Sequence, residues 1–478
     1  LINGIVMKGL SDSHYLTSNR PFLAFFSMTS SALSPQSWLF GLEWLPASAC
    51  LVGGSVRDAL LGRVGDYLDL DFVLPEGAVA TAQAIAHHYK AGYVLLDAER
   101  HIARVVFERG TADFAEQVGN SLEEDLQRRD FTVNAIAYDP HRDRVIDPLQ
   151  GCRDLQQRTL RMVSPANLAE DPLRLLRAYR QAAQLGFNVE PATRQEIRRL
   201  APLLGQIAAE RIQSEINYLI STDRGTFWLQ AAWEDGLLQD WFASATAADI
   251  ARVAAVDRTA RVLQETLPDF YQMLISPLRP VGKPDASIPS GGGKPKGEGQ
   301  ASGATRNWLT LARLTCLLGN DVAAAEAQLR RLKYSRNEIQ AVTTILRYLP
   351  QLQQAVRHGA IAEVPQLQFS LREQCVFFQA VGNTFPAVAV LAIAQGIPLE
   401  AIASMLERYP NFNDPVAHPH PVLTGQTLMK ELNLPPGPRI GQLLAELQLA
   451  RAEGRIHTAA DALSYAAKLV EGESGARN

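Results

Sequence analysis

The feature that most restricts this chain's fold is a change of period near Arg161. Upstream, short apolar runs alternate with helical segments. Downstream, apolar residues recur at helical spacing, as in Leu173, Leu175, Leu176 and Tyr179, and again in Ile207, Ile212, Ile216, Leu219 and Ile220. Such a chain reads as an α/β head, a mixed sheet with helices, followed by an all-α remainder. Its 478 residues exceed one ordinary core, and length alone suggests about three domains.

In the head, the pattern predicts strands at 50–52, 68–74, 92–96, 102–107, 111–114 and 135–138, and helices at 55–61 and 78–89. The boundaries drawn from composition are an N-terminal extension at 1–36, the head at 37–160, a helical neck at 161–225, a helical body at 226–417 and a helical tail at 418–478. Residues 1–27 show no sustained period, and Met28 reads as a start that would make them a misassigned extension. The stretch 276–306, with Ser290-Gly291-Gly292-Gly293-Lys294-Pro295-Lys296-Gly297 inside it, reads as a disordered insertion because it is too polar to bury a core. His418-Pro419-His420-Pro421 marks the boundary before the tail.

A composition of 47% apolar and 20% charged residues is that of an ordinary globular protein. The net charge of −4 excludes a uniformly basic nucleic-acid binder, but not a local basic face. One such face is suggested at 153–211, where ten arginines stand against six acidic residues. Four distant cysteines, Cys50, Cys152, Cys316 and Cys375, signal neither a zinc site nor a disulfide framework and fit a reducing cytoplasm. No apolar run reads as long enough to span a bilayer, so no membrane partner is expected.

Chemistry concentrates in Leu51-Val52-Gly53-Gly54-Ser55-Val56-Arg57-Asp58 and Leu68-Asp69-Leu70-Asp71-Phe72. Strand alternation puts Asp69 and Asp71 on one face. Such a carboxylate pair suits magnesium, which takes one or two carboxylates together with phosphate oxygens. Gly53 and Gly54 let backbone approach a ligand, Ser55 is expected to cap the following helix, and Arg57 adds a planar phosphate donor. The plainer alternative is a solvated strand face beside an ordinary strand-turn-helix. No Walker A loop is present.

Arg128-Arg129-Asp130-Phe131-Thr132-Val133-Asn134-Ala135 forms a second polar cluster, followed by Asp147-Pro148, Gly151, Asp154-Leu155, Glu170-Asp171 with Arg174, and Glu210-Arg211-Ile212 with Glu215. With these motifs in order over 51–220, the sequence resembles the tRNA nucleotidyltransferase and poly(A) polymerase family, in its bacterial class II branch. The resemblance implies nucleotide transfer from a nucleoside triphosphate to the 3′ hydroxyl of tRNA. It implies that Asp69 and Asp71 hold Mg²⁺, that Asp113 is the third acidic position, that Gly53, Gly54, Ser55 and Arg57 hold triphosphate, and that Arg129 and Asp130 read the ribose with Asn134 in support.

Downstream, Arg174, Arg177 and Arg180 form one stripe of a helix, with Leu175, Tyr179, Ala182 and Ala183 opposite. The residues alone favour Asp171-Pro172 as an ordinary N-cap. The resemblance makes Asp171 and Arg174 the base-reading pair, with Arg177 as helper. Only Ala115 to Asn120 stand between Phe114 and Ser121. Family members that add the terminal adenosine have a longer loop here, so the resemblance is to the CC-adding subgroup. CTP is then the expected nucleotide and ATP a second candidate. The alternatives are a complete CCA-adding enzyme, a poly(A) polymerase, or a noncatalytic RNA-binding protein on the same scaffold.

Overall fold

The computed structural model describes residues 33–278, 306–357 and 365–475, apart from 64, 66 and 223. The expected extension, up to residue 32, and the insertion, at 279–305, lie outside the described residues. The chain divides into two compact units. One runs up to Ile207 and takes in Glu234–Leu237; the other comprises Ala208–Trp233 and everything from Leu238 on.

The first unit is built on a seven-stranded sheet. Its strands are β1 (Cys50–Val52), β2 (Leu68–Leu74), β3 (Gly92–Asp97), β4 (Ile102–Phe107), β5 (Gly110–Glu116), β6 (Ala137–Asp139) and β7 (Arg144–Ile146), in the order β3-β4-β5-β2-β1-β6-β7. The β2 and β5 strands pair in parallel, with Asp69 opposite Thr111, Asp71 opposite Asp113 and Phe72 opposite Phe114. The other ladders are antiparallel, and β1 sets Val52 opposite Asp71.

The alternation in β2 separates two environments. Leu70 and Phe72 turn into an aromatic core, in which Phe72 stacks on Phe114 at 5.3 Å and meets Trp38 edge-on at 5.1 Å. On the carboxylate face, Val73 joins Cys50, Val52, Leu126, Ala135 and Ala137 in a second core. Asp71 therefore stands where that core ends, and Asp69, one pleat on, is exposed.

Six helices complete what positions the site: α1 (Gly54–Leu60), α2 (Ala78–Tyr89), α3 (Leu122–Gln127), α4 (Gly151–Gln156), α5 (Pro165–Glu170) and α6 (Leu173–Leu185). Leu175, Tyr179, Ala182 and Ala183 of α6 are buried, while Arg174, Arg177 and Arg180 stay half-exposed, which is the division expected from the helical wheel.

Two capping expectations are corrected. The N-cap of α1 is Gly53, and Ser55 lies inside the helix, where its hydroxyl donates back to the Val52 carbonyl at 3.2 Å. Likewise α6 starts after Pro172 with no side-chain cap; Asp171 instead ends α5, and its carbonyl accepts the Arg174 N–H at 2.9 Å.

The second unit is helical. The helix Phe385–Ala394, buried from Phe385 through Ala392, packs against Ala247–Thr266, Trp308–Cys316 and Arg336–Ala355. The tail has its own core of Leu428, Leu443, Leu447, Ala450, Ile456, Ala462 and Ala466. Strand pairing after Arg161 is limited, among the described residues, to two-residue pairs, Asn188–Val189 with Thr159–Leu160 and Val356–Arg357 with Gln366–Leu367, and to the isolated bridges Phe131–Met162 and Pro277–Asn307. One sequence expectation needs amending, since the 24-residue run Leu371–Ala394 is long and apolar enough to cross a membrane by length and composition, with a mean hydropathy of 1.7 over an 18-residue stretch within it. Its apolarity is accounted for by burial among its neighbours, with a 3₁₀ turn at Gly382–Thr384 dividing it.

Candidate nucleotide-transfer site

The β1-α1 turn brings the backbone against the carboxylates. Gly53 adopts φ +77° and ψ −135°, a conformation open to glycine, and a Cβ there would come within 3.1 Å of Arg129 Nη1 and 3.6 Å of Asp71 Oδ2. The glycine thus makes room for an arginine and a carboxylate to share one small volume. A Cβ on Gly54 would lie 3.5 Å from Arg57 Nη2, so the Arg57 guanidinium folds over the same turn.

Three aspartates face this turn. Thr111 Oγ1 donates to Asp69 Oδ1 at 2.5 Å across the β2-β5 ladder. Asp113 receives two hydrogen bonds from Arg104 of β4, at 2.6 and 2.7 Å. Asp71 is part-buried. Burial, then the like charges of Asp69 and Asp113, push its carboxyl up to about 7 against the opposing pull of Arg129 and Arg104.

A hard divalent cation fits this set. The donors are carboxylate oxygens, and a cation would relieve the repulsion that raises Asp71. Among the described residues no group of three or more His, Cys, Asp and Glu side chains converges as a metal cage, so the pair would need phosphate or water oxygens to complete a coordination shell.

The second polar cluster folds onto the first. Arg57 is held by Asp58 through Nε at 2.9 Å and Nη2 at 2.8 Å, and by Asn134 Oδ1 through Nη1 at 2.7 Å. Asn134 Nδ2 donates to Asp130 Oδ1 at 2.9 Å and to Gln181 Oε1 at 3.0 Å. Asp130 also accepts the Phe131 N–H at 2.8 Å and Arg177 Nη1 at 3.4 Å. Burial works to raise the Asp130 carboxyl, but Arg177, Asn134 and the Phe131 N–H outweigh it and hold it below the usual carboxylate range.

Arg129 Nη2 reaches Asp125 at 3.3 Å, and Arg174 Nη1 donates to the carbonyls of Asn167 at 2.9 Å and Arg128 at 3.2 Å. The structure therefore brings together Gly53, Gly54, Arg57, Asp69, Asp71, Asp113, Arg129, Asp130, Asn134 and Arg177. It ties Arg174 to the backbone leading into that cluster and leaves Asp171 at the α5-α6 junction.

Sequence reasoning missed Arg104, Thr111, Asp125 and Gln181, and gave Asp58 a place in the first motif without a role. Arg104 and Thr111 could have been suspected from strand register, since each lies opposite a predicted aspartate. Gln181 carries no such signal, being 47 residues from its partner. The β5-α3 connection is also shorter than it reads. The β5 strand runs to Glu116, and the bend is closed by Val118 N–H to Asp125 at 3.1 Å and Asn120 N–H to Glu124 at 2.7 Å.

The fold and site together define a nucleotidyltransferase head joined to a helical remainder. The family described as "Poly A polymerase head domain" matches residues 49–161, the family described as "Probable RNA and SrmB-binding site of polymerase A" matches 186–248, and the family described as "tRNA nucleotidyltransferase domain 2 putative" matches 304–467. The chain belongs to the tRNA nucleotidyltransferase and poly(A) polymerase family.

It is 45% identical to a CC-adding tRNA nucleotidyltransferase of Synechocystis sp., over 90% of this chain and 95% of that one. It is 34% identical to an A-adding tRNA nucleotidyltransferase of Deinococcus radiodurans, over 90% and 97% of the two chains. In fold it is similar to the Thermotoga maritima CCA-adding enzyme complexed with tRNA, with a TM-score of 0.62 at 19% identity over 88% and 91% of the two chains.

Proposed function

We infer that this enzyme adds cytidines to the 3′ end of tRNA without a nucleic-acid template, in the cytoplasm. In each cycle the tRNA 3′ oxygen bonds to the α-phosphorus of CTP, the bond from that phosphorus to the bridging oxygen breaks, pyrophosphate leaves, and the hydroxyl proton is lost. The observation that carries the CC-adding reading is the closed connection after β5, four residues from Gln117 to Asn120. The 45% identity to a relative named for CC addition supports it.

In this reading Asp69 and Asp71 hold Mg²⁺, which when bound supplies Lewis acidity to the attacking hydroxyl and neutralises charge on the leaving pyrophosphate. Arg57 binds the triphosphate. It has five N–H groups, three of which are occupied by Asp58 and Asn134, leaving one on each terminal nitrogen for phosphate oxygens. Arg129 and Asp130 address the ribose, Arg177 keeps Asp130 ionised, and Asp171 and Arg174 present an acceptor and donors to the base edge. Asp113, locked by Arg104, lends negative charge next to the pair. The head at 37–160 does the chemistry, and the arginines at 153–211, with the helical neck, body and tail, receive the tRNA backbone.

Similarity to an A-adding relative keeps ATP as a second nucleotide and a complete CCA-adding enzyme as the second reading. The test is to offer tRNA lacking its terminal CCA with CTP alone, ATP alone, or both, and to sequence the 3′ ends. Two cytidines and no adenosine are expected; adenosine after two cytidines would overturn the CC-only reading.

A further inference from the structure

Arg57 is not oriented by its own helix alone. Its Nη1 is fixed by the Asn134 carbonyl oxygen, and the Asn134 amide is in turn fixed by what its nitrogen must reach. The assignment of that amide leaves no choice. An arginine only donates, and an ionised Asp130 only accepts, so Oδ1 must face Arg57 and Nδ2 must face Asp130. The second N–H of Nδ2 then needs another acceptor, which is Gln181 Oε1 at 3.0 Å. Asn134, Asp130 and Gln181 are each 7% exposed, so water is a poor substitute for any of them.

Gln181 lies on α6, on the turn after Arg177, which bonds Asp130. The helix assigned above to reading the base thus grips the triphosphate arginine through a single saturated amide. We propose that Gln181 is a positioning residue that holds the Arg57 guanidinium on the triphosphate by fixing Asn134, making the base-reading helix and the triphosphate contact one mechanical unit.

This rests on the nucleotidyltransferase reading of the site, and its test is separable from that reading. In Gln181→Met, which keeps the length of the side chain but removes the acceptor, the amide loses one of its anchors and Arg57 its fixed orientation. Titration of inorganic pyrophosphate into the intact protein in magnesium buffer should show affinity weakened about 10-fold, and the KM for CTP should rise by a similar factor with kcat changed far less. Inhibition by cytidine, which carries no phosphate, should stay within about 2-fold.

Gln181→Leu removes the acceptor as well and should weaken pyrophosphate affinity to a similar extent. It also provides a measurable variant if the methionine protein does not fold. Unchanged pyrophosphate affinity in Gln181→Met, or cytidine inhibition weakened as much as pyrophosphate binding, would overturn the proposal. A wild-type protein that binds pyrophosphate but incorporates no nucleotide would instead overturn the function assigned above.

Discussion

Arg104 on β4 clasps Asp113 on β5 through two parallel hydrogen bonds, at 2.6 Å from Nε and 2.7 Å from Nη2, between residues that face each other in the ladder. Asp113 raises the Arg104 guanidinium pKa above its ordinary value, first through this hydrogen bond. The pair answers one of three crowded negative charges with a fixed positive one. It also leaves Asp69 and Asp71 as the carboxylates free of such a clasp, as the proposed cation site requires. Partners in this outer position are worth about 10–100-fold in metal affinity or activity. Arg104→Met should therefore lower kcat/KM for CTP by about that factor and raise the magnesium concentration needed for half-maximal rate. Steady-state kinetics over a magnesium series reads both, and an unchanged series would show the clasp to be structural only.

Removing a carboxylate from the pair has a different signature. Asp69→Ala should abolish nucleotide incorporation, because Asp71 alone cannot hold the metal and triphosphate together. The exposed position of Asp69 and its single strand-borne partner, Thr111, predict little loss of stability. Binding of tRNA, measured by filter retention, should stay close to wild type; incorporation that survived the substitution would take Asp69 out of the site.

Gly53 is the position where backbone geometry and chemistry meet. Its φ of +77° and ψ of −135° cost a side-chain-bearing residue about 1–3 kcal/mol. The new Cβ would also press on Arg129 Nη1. Gly53→Ala should lower the thermal midpoint and, in protein still folded, raise the KM for CTP more than Gly54→Ala does, since Gly54 has an ordinary helical conformation. Equal effects at the two glycines would remove the special role of the first.

These residues mark what the sequence made legible. The alternation in Leu68–Leu74 disclosed the carboxylate face because period 2 is a local property, and the arginine stripe of α6 was equally local. The reading of Ser55 as a cap failed because Gly53, at positive φ, already turns the chain into the helix, putting the serine inside it. Asp171 failed as the α6 cap because a preceding helix, α5, ends on it. The β7 strand escaped notice since three half-buried residues, Arg144–Ile146, carry too little pattern. Gln181 belongs to no motif; its partner is fixed by packing, which only the folded chain specifies. Motif residues can also be structural. Asp147 caps α4 through the N–H groups of Gly151 and Cys152, and Gly151 approaches Thr132 so closely that a Cβ would clash with its carbonyl oxygen.

Acid sensitivity in the first unit should come in part from Asp235, far from the carboxylate pair in sequence. Its side chain is fully enclosed and accepts from Arg194 Nε at 2.5 Å, from Arg198 Nε at 2.5 Å and from the Tyr179 hydroxyl. Burial works to raise its carboxyl, but Arg194, Tyr179 and Arg198 outweigh burial and hold it below the ordinary carboxylate value. A carboxyl depressed in the folded state stabilises the fold above the unfolded value of about 3.9, and that contribution fades as pH falls from there through the folded value. Because Arg194 and Arg198 are partly solvated, Asp235→Ala should cost about 3 kcal/mol at pH 7, the low end for breaking a buried charge pair. Urea midpoints followed from pH 6 down to about 3 should draw closer for wild type and variant below about pH 4, as the carboxyl begins to protonate. A gap that stays constant across that range would mean that Asp235 acts by packing and not by charge.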